Sequence, residues 1–296
     1  MVTLYCDESY SVPDKTTGKP QVCAVAGFLG NQTDWLYTAD KWEKCLQHHD
    51  DLPYFRASEC ETLVGAFARF RENPKDVNSP LSAQEKKRRT DIKKAFVEVV
   101  VNASIVGFGA AVLVNDLQNV IRSYPQKAKE FENPYLLCCQ FAMSAAGYVT
   151  TRVNHERRVN NILSFVFEQN EYAGLFPKIY QEFQEKNPYI SEYMGSYSFV
   201  PWFKYVPLQT ADLLAYETMK VLFNSLEYPT LKTRNALREM QSGVQSLYRL
   251  DYDTLSAVVE QNLTGESLEK IVKGKIPNPD NRDELRRFFS LTIDQD

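Results

Sequence analysis

Short apolar blocks alternate along this chain with longer stretches in which apolar residues recur every three or four positions. The first block, Val-Thr-Leu-Tyr-Cys over 2–6, reads as a short buried strand. A turn-like stretch over 11–20 separates it from 21–29, where Val22, Ala24, Ala26 and Phe28 alternate with Cys23 and Val25. Apolar side chains on both faces predict a second buried strand, and the pair reads as a hairpin. Thr33 or Asp34 can cap a helix to about 47, with Trp35, Leu36, Ala39, Trp42 and Leu46 on one side. Residues 52–56 read as extended and 61–71 as helical; 73–80 breaks the pattern. Ser82-Ala83-Gln84-Glu85 is a capping box, and a long helix follows to about 101.

The second half of the chain repeats the alternation. A Gly- and Ala-rich strand is predicted over 104–114, where another element must pack closely. Asn133-Pro134 opens a helix to about 152, a charged link covers 154–160, and 162–167 is another buried strand. A helix over 176–186 stops at Asn187-Pro188, 196–200 is extended, and 208–223 is helical. A break near 227–232 sets off a C-terminal region read as shorter helices, with a Pro- and Asn-rich loop over 273–281. A hairpin followed by strands alternating with helices predicts an α/β fold with a mixed sheet flanked by helices. The expected division is a catalytic domain over 1–226 and a helical extension over 227–296, which offers a surface for oligomerisation.

Composition narrows the class without choosing a function. Of 296 residues, 44% are hydrophobic and 12% aromatic, enough to build a substantial core. No run approaches the roughly 20 apolar residues that a membrane span requires, and no leader pattern opens the chain. The six cysteines show no Cys-x-x-Cys spacing, so free thiols and a cytoplasmic setting are expected. The net charge of −4 argues against a uniformly basic surface but leaves room for a local basic groove. The densest positive run is Lys86-Lys87-Arg88-Arg89, either a solvated helix face or a phosphate contact.

The candidate chemistry is acidic. Asp7 and Glu8 follow the first strand, Glu168 closes Phe165-Val166-Phe167, and Asp212 interrupts the apolar face of the helix over 208–223. Glu59, after Phe55-Arg56-Ala57-Ser58, is a further candidate. Carboxylates gathered from distant segments suit a hard dication such as Mg²⁺ or Mn²⁺. Two such ions about 4 Å apart activate water and stabilise the leaving oxygen of a phosphodiester. Asp7, Glu59, Glu168 and Asp212 are therefore the expected metal ligands and catalytic residues. If the first strand continues, alternation turns Glu8 away from Asp7. Glu8 and Asp116 stand as outer or substitute ligands, with Glu171 and Glu217 further out. Trp202, in Val200-Pro201-Trp202-Phe203-Lys204, is the best aromatic wall for a substrate groove. His48, His49 and His155 fit no zinc spacing, and no phosphate-binding Gly-rich loop or nucleophile elbow occurs.

At these residues the chain resembles the DUF3800 family, often assigned to the ribonuclease H-like superfamily. The resemblance is carried by Tyr5-Cys6-Asp7-Glu8-Ser9, Phe55-Arg56-Ala57-Ser58-Glu59, Phe165-Val166-Phe167-Glu168 and Leu208-Gln209-Thr210-Ala211-Asp212-Leu213-Leu214-Ala215-Tyr216, across roughly residues 1–220. Family members typically place Gly after Asp-Glu-Ser and often Asp at the end of the later strand; here the residues are Tyr10 and Glu168. The resemblance implies a ribonuclease H-like sheet with acids on its central strands and final helix. With the acidic pattern it leads to one expectation, a divalent-metal-dependent nuclease acting on DNA or RNA. The alternatives are a non-catalytic interaction protein of the same fold, defence- or toxin-associated, and a carboxylate glycosidase without metal.

Overall fold

A computed structural model describes residues 1–11, 21–227, 234–241 and 243–260. In chain order the regular elements are β1 (Val2–Tyr10), β2 (Val22–Asn31), α1 (Gln32–His48), α2 (Ala57–Thr62), α3 (Ala83–Val101), β3 (Val106–Leu113) and α4 (Val114–Ser123). They continue with α5 (Pro134–Arg157), β4 (Leu163–Glu168), α6 (Phe176–Lys186), α7 (Pro188–Ser191) and β5 (Met194–Val200). The last are α8 (Val206–Glu227), α9 (Asn235–Met240), β6 (Val244–Leu250) and α10 (Tyr252–Glu260). The six strands form one mixed sheet in the order β5-β4-β1-β2-β3-β6.

Only β2 runs against the others, because it pairs antiparallel with both β1 and β3 while the remaining pairs are parallel. The chain leaves β1 toward β2 on one side, and later returns through α5 to place β4 on the other side of β1. The crevice outside the carboxyl ends of two such parallel neighbours is where open α/β sheets bind ligands. Both faces of the sheet are covered. Leu4, Cys6, Cys23 and Val25 pack on the α5 side with Cys138, Cys139 and Ala142. Ala24, Ala26 and Phe28 pack on the other side with Trp42, Phe96, Leu213 and Leu214. A sheet buried on both faces explains why β2 and β3 read as nearly unbroken apolar runs.

Local signals placed several elements correctly. Ser82 accepts from the Glu85 amide at 3.2 Å and Glu85 accepts from the Ser82 amide at 2.7 Å, so the capping box forms at α3. Asn133 accepts from the Leu136 amide at 3.1 Å and starts α5. The small residues of β3 are explained by its neighbours: a Cβ added at Gly107 would meet Val244 Cγ2 at 2.8 Å and Leu214 Cδ2 at 3.2 Å.

Other expectations are corrected. α1 is capped by Asn31, in a box with Asp34, rather than by Thr33 or Asp34. The helix expected over 61–71 divides into α2 and a 3₁₀ turn over Gly65–Phe70, because Leu63 turns left-handed at φ 50°. Arg71 stabilises that break by donating to the Leu63 carbonyl at 3.1 Å and the Thr62 carbonyl at 3.0 Å. The link expected over 154–160 is shorter, since α5 runs to Arg157 and the Asn154 side chain pairs with the backbone of Asn161. The region beyond 226 is not only helical. β6 joins the sheet beside β3, and Leu250, Leu255 and Val258 enter the core packed against α5. A parallel partner for β3 was invisible in local periodicity, because a seven-residue strand flanked by short helices has too little pattern of its own. The predicted turn over 11–20 falls almost wholly outside the described residues, as does the break over 227–232; the loop over 273–281 lies entirely outside them. Among the described residues no helix is long and apolar enough to cross a membrane, and all six cysteines are free thiols.

Candidate metal centre

β1 does not stop at Cys6. It pairs with β2 as far as Tyr10, which sets Asp7 inside the strand and leaves it 3% exposed. Its pairing with β4 ends at Cys6 and Phe167, so Asp7 and Glu168 are the next neighbours along the two strands. Asp7, Glu8 and Glu168 each bring a carboxylate oxygen within 4.8 Å of the others. The Glu8 amide donates to Asp7 Oδ1 at 2.7 Å. Glu8 Oε1 accepts from Asn170 Nδ2 at 3.2 Å, while Glu8 Oε2 is buried without a hydrogen-bond partner. Glu8 thus joins Asp7 despite strand alternation, because both sit beyond the last β1–β4 pair, where the long Glu8 side chain meets Glu168 at the sheet edge.

α8 supplies the remaining acid and the frame around it. Asp212, 8% exposed, accepts from the Ala57 amide at 2.6 Å. One turn earlier, Gln209 Oε1 accepts from the Phe55 amide at 2.8 Å and from Trp42 Nε1 at 3.0 Å. These bonds fasten residues 55–57 to the helix and thereby place Arg56. Its guanidinium lies 4.8 Å from the centre of the Trp202 ring. Arg56, Glu8, Glu168 and Asp212 line a cavity of about 280 Å³, with Ser9, Tyr10, Ser58 and Tyr216 completing its wall.

The electrostatics follow from crowding. Burial pushes the Asp7 carboxyl well above its ordinary range, reinforced by a hydrogen bond to Glu168 and the charges of Asp212, Glu168 and Glu8. Burial also raises Glu8 to about 7, with Glu168 adding to it and Asn170 and Arg56 opposing it. Asp212 rises to about 7, again through burial first; the Ala57 amide and Arg56 oppose the shift, while Glu168 and Glu59 add to it. Carboxylates in this state are poorly compensated. A bound dication is the largest charge such a site can receive and reverses the penalty.

The other expected residues lie elsewhere. Glu59 is turned away from the trio: its Oε2 accepts from the Tyr54 hydroxyl at 3.1 Å and from the Ala66 amide at 3.0 Å. It caps the 3₁₀ turn and reaches Asp212 only through its charge. Asp116 is in the first turn of α4, where its charged neighbours are Arg249, Asp251 and Asp253 of the β6–α10 region. Glu217 is fully buried and paired with Lys93 and Arg234, and Glu171 is exposed. In the basic run, Arg88 pairs with Asp50 at 3.6 Å and Arg89 with Glu61 at 3.3 Å; Lys86 and Lys87 are exposed. Trp202 does stand beside the cavity, through Arg56. Arg56 and Asn170 are site residues that the sequence reading passed over. Arg56 lay inside a motif quoted for its acid, and Asn170, two positions past the end of β4, has no pattern to mark it.

Three carboxylates are hard oxygen donors, and one buried carboxylate oxygen has no partner; Asn170 turns its amide nitrogen to Glu8 and its oxygen to the Tyr172 amide. That set fits Mg²⁺ or Mn²⁺. Asp7, Glu8 and Glu168 would hold the ion, with Asp212 alongside. The three histidines play no part in this cluster; His48 and His49 pack on each other and His155 stacks on Tyr189. Fold and site together define a mixed α/β protein with a buried carboxylate centre at the carboxyl edge of its sheet. No family model matches the chain, and no curated protein matches it.

Proposed function

We propose that this protein is a divalent-metal-dependent nuclease with a ribonuclease H-like fold, cleaving phosphodiester bonds at the cavity between β1, β4 and α8. The observation that carries the reading is the trio Asp7, Glu8 and Glu168 within 4.8 Å, with Glu8 Oε2 buried and unpartnered. The placement of acids on adjacent central strands and on α8 supports the ribonuclease H-like assignment, since that is where the resemblance puts them.

When bound, Mg²⁺ or Mn²⁺ supplies Lewis-acid stabilisation of phosphoryl oxygens and a more acidic water. The chain's own residues do the rest. Asp7, Glu8 and Glu168 would hold the ion in a pocket whose walls are fixed by strand pairing. Asp212, locked by the Ala57 amide, would add its negative charge beside them. Arg56, stacked on Trp202, offers a planar cation to a phosphate entering the cavity.

Cleavage of labelled DNA and RNA oligonucleotides in Mg²⁺, Mn²⁺ or chelator tests the reading. Activity should require the metal and fall at least about a hundredfold in Asp7→Asn, the scale of losing a principal electrostatic contributor. Cleavage that persists in chelator, or that survives both Asp7→Asn and Asp212→Asn, excludes the carboxylate site as its source.

A further inference from the structure

The connection from β5 to α8 carries a group of side chains that the metal centre does not use. The 3₁₀ turn Trp202–Lys204 places Trp202 beneath the Arg56 guanidinium and against the edge of Tyr54, whose ring centre is 4.8 Å away. Tyr54 is in turn held by Glu59. This explains what the Glu59 carboxylate does: it fixes an aromatic wall rather than a metal. Beyond the wall, Phe203 is 50% exposed and Tyr205 43% exposed. Lys204 Nζ lies 5.7 Å from the Phe203 ring centre. Phe203 meets Trp202 at nearly right angles, with ring centres 6.0 Å apart, and so joins the wall that holds Arg56. A run of contacts therefore leads from exposed Phe203 through Trp202 to Arg56, which lines the cavity.

Exposed rings beside Lys and Arg match the chemistry of an unpaired nucleic-acid strand. Bases stack on the rings through their π-faces and the cations meet the backbone. A duplex makes a different demand, because its binding relies on many phosphate contacts from a broad basic surface. The chain carries a net charge of −4, and Arg88 and Arg89 of its densest basic run are already paired with Asp50 and Glu61. Stacking on Phe203 also needs a base whose face is free, which a paired and stacked base lacks.

We infer that Phe203, Tyr205, Lys204 and Arg56 form a binding platform for single-stranded nucleic acid, which feeds an unpaired strand into the cavity lined by Glu8, Glu168 and Asp212. This rests on the hydrolytic reading above and adds its substrate class. Phe203 and Tyr205 take the bases, Lys204 follows the backbone, and Arg56 receives the phosphate nearest the acids. Trp202 and Tyr54 are positioning residues that hold Arg56.

Fluorescence anisotropy with labelled oligothymidylate of about a dozen nucleotides tests the platform, alongside a duplex of equal length. Measurements in chelator and in Ca²⁺ separate binding from cleavage. The single strand is expected to bind at least about tenfold tighter than the duplex. Phe203→Ala with Tyr205→Ala should weaken it by roughly five- to a hundredfold, the range for losing base stacking. Phe203→Leu, which keeps apolar bulk without a π-face, should also weaken binding, and Phe203→Tyr should restore it. Lys204→Ala should lower the slope of log K against log salt by about 0.7. Duplex binding equal to or tighter than the single strand, or a double variant within twofold of the parent in both buffers, overturns the platform. These outcomes are independent of the hydrolytic reading, which stands or falls with metal-dependent cleavage and its loss in Asp7→Asn.

Discussion

Removing the charge of Asp212 should make the metal-free protein more stable at neutral pH and flatten its response to pH. The Asp212 carboxyl is displaced from 3.8 to about 7, by burial first, with the charges of Glu168 and Glu59 added. At about 1.4 kcal/mol per pH unit, the ionised folded form carries a penalty of about 4 kcal/mol. The sign follows from proton binding. Between the two values the folded state holds a proton that the unfolded chain has released, so stability falls as pH rises. The loss begins near pH 4 and is complete just above pH 7. About 3 kcal/mol of it falls between pH 5 and pH 8. Glu8, raised to about 7, adds a loss of the same sign, although the two acids share one field and their penalties do not simply add. Asn at position 212 keeps an oxygen to accept the Ala57 amide and carries no charge. Urea denaturation in chelator at pH 5, 6, 7 and 8 would follow the effect on parent and Asp212→Asn. The parent should lose several kcal/mol across the series, and the variant about 3 kcal/mol less. Saturating Mn²⁺ should restore much of the parent's stability at pH 8, through mass action on the folded state. A parent whose stability is flat or rises from pH 5 to 8, or a variant with an unchanged slope, refutes the reasoning.

Three further outcomes probe the frame that carries the site. Lys93 bonds fully buried Glu217 at 3.1 Å and also pairs with Glu61, while Arg234 reaches Glu217 at 2.6 Å and Glu61 at 2.7 Å. Lys93→Met leaves fully buried Glu217 to Arg234 alone, which Glu61 also shares, and should cost about 3 kcal/mol in thermal or urea denaturation, with Glu217→Gln in the same background recovering part of it. Glu61 is held at about 2, burial being outweighed by Lys93 and Arg234, so this network's stabilisation should disappear only as pH falls from about 4.5 through about 2. Ser82→Ala removes the acceptor for the Glu85 amide and should cost about 1 kcal/mol in the same assay, without affecting metal binding measured by Mn²⁺ titration.

Much of this architecture is written in local pattern. The apolar runs of β1, β2 and β4, the capping box at Ser82, the Asn133-Pro134 start of α5 and the stop at Asn187-Pro188 each depend on near neighbours. The sequence alone was therefore enough to determine an α/β chain with a hairpin, most of its helices, and acids at the ends of buried segments. Asp7, Glu168 and Asp212 were legible because a carboxylate beside an apolar run is expensive unless something uses it. That cost does not distinguish a metal ligand from a structural partner. Glu217, on the same helix as Asp212, is buried just as deeply, and only the arrival of Lys93 from α3 and Arg234 from beyond α8 makes it half of an ion network.

Tertiary structure decided everything that depends on which segments become neighbours. Pairing of β1 with β4 brought Glu8 into contact with Glu168, against the expectation from strand alternation. The left-handed turn at Leu63 redirected Glu59 onto Tyr54 and the Ala66 amide. Pairing with β3 drew β6 into the sheet. Periodicity reports which face of an element is apolar, because that is set within a few residues. The position of one carboxylate relative to another a hundred or more residues away is set by strand order and register, and those exist only once the sheet has closed.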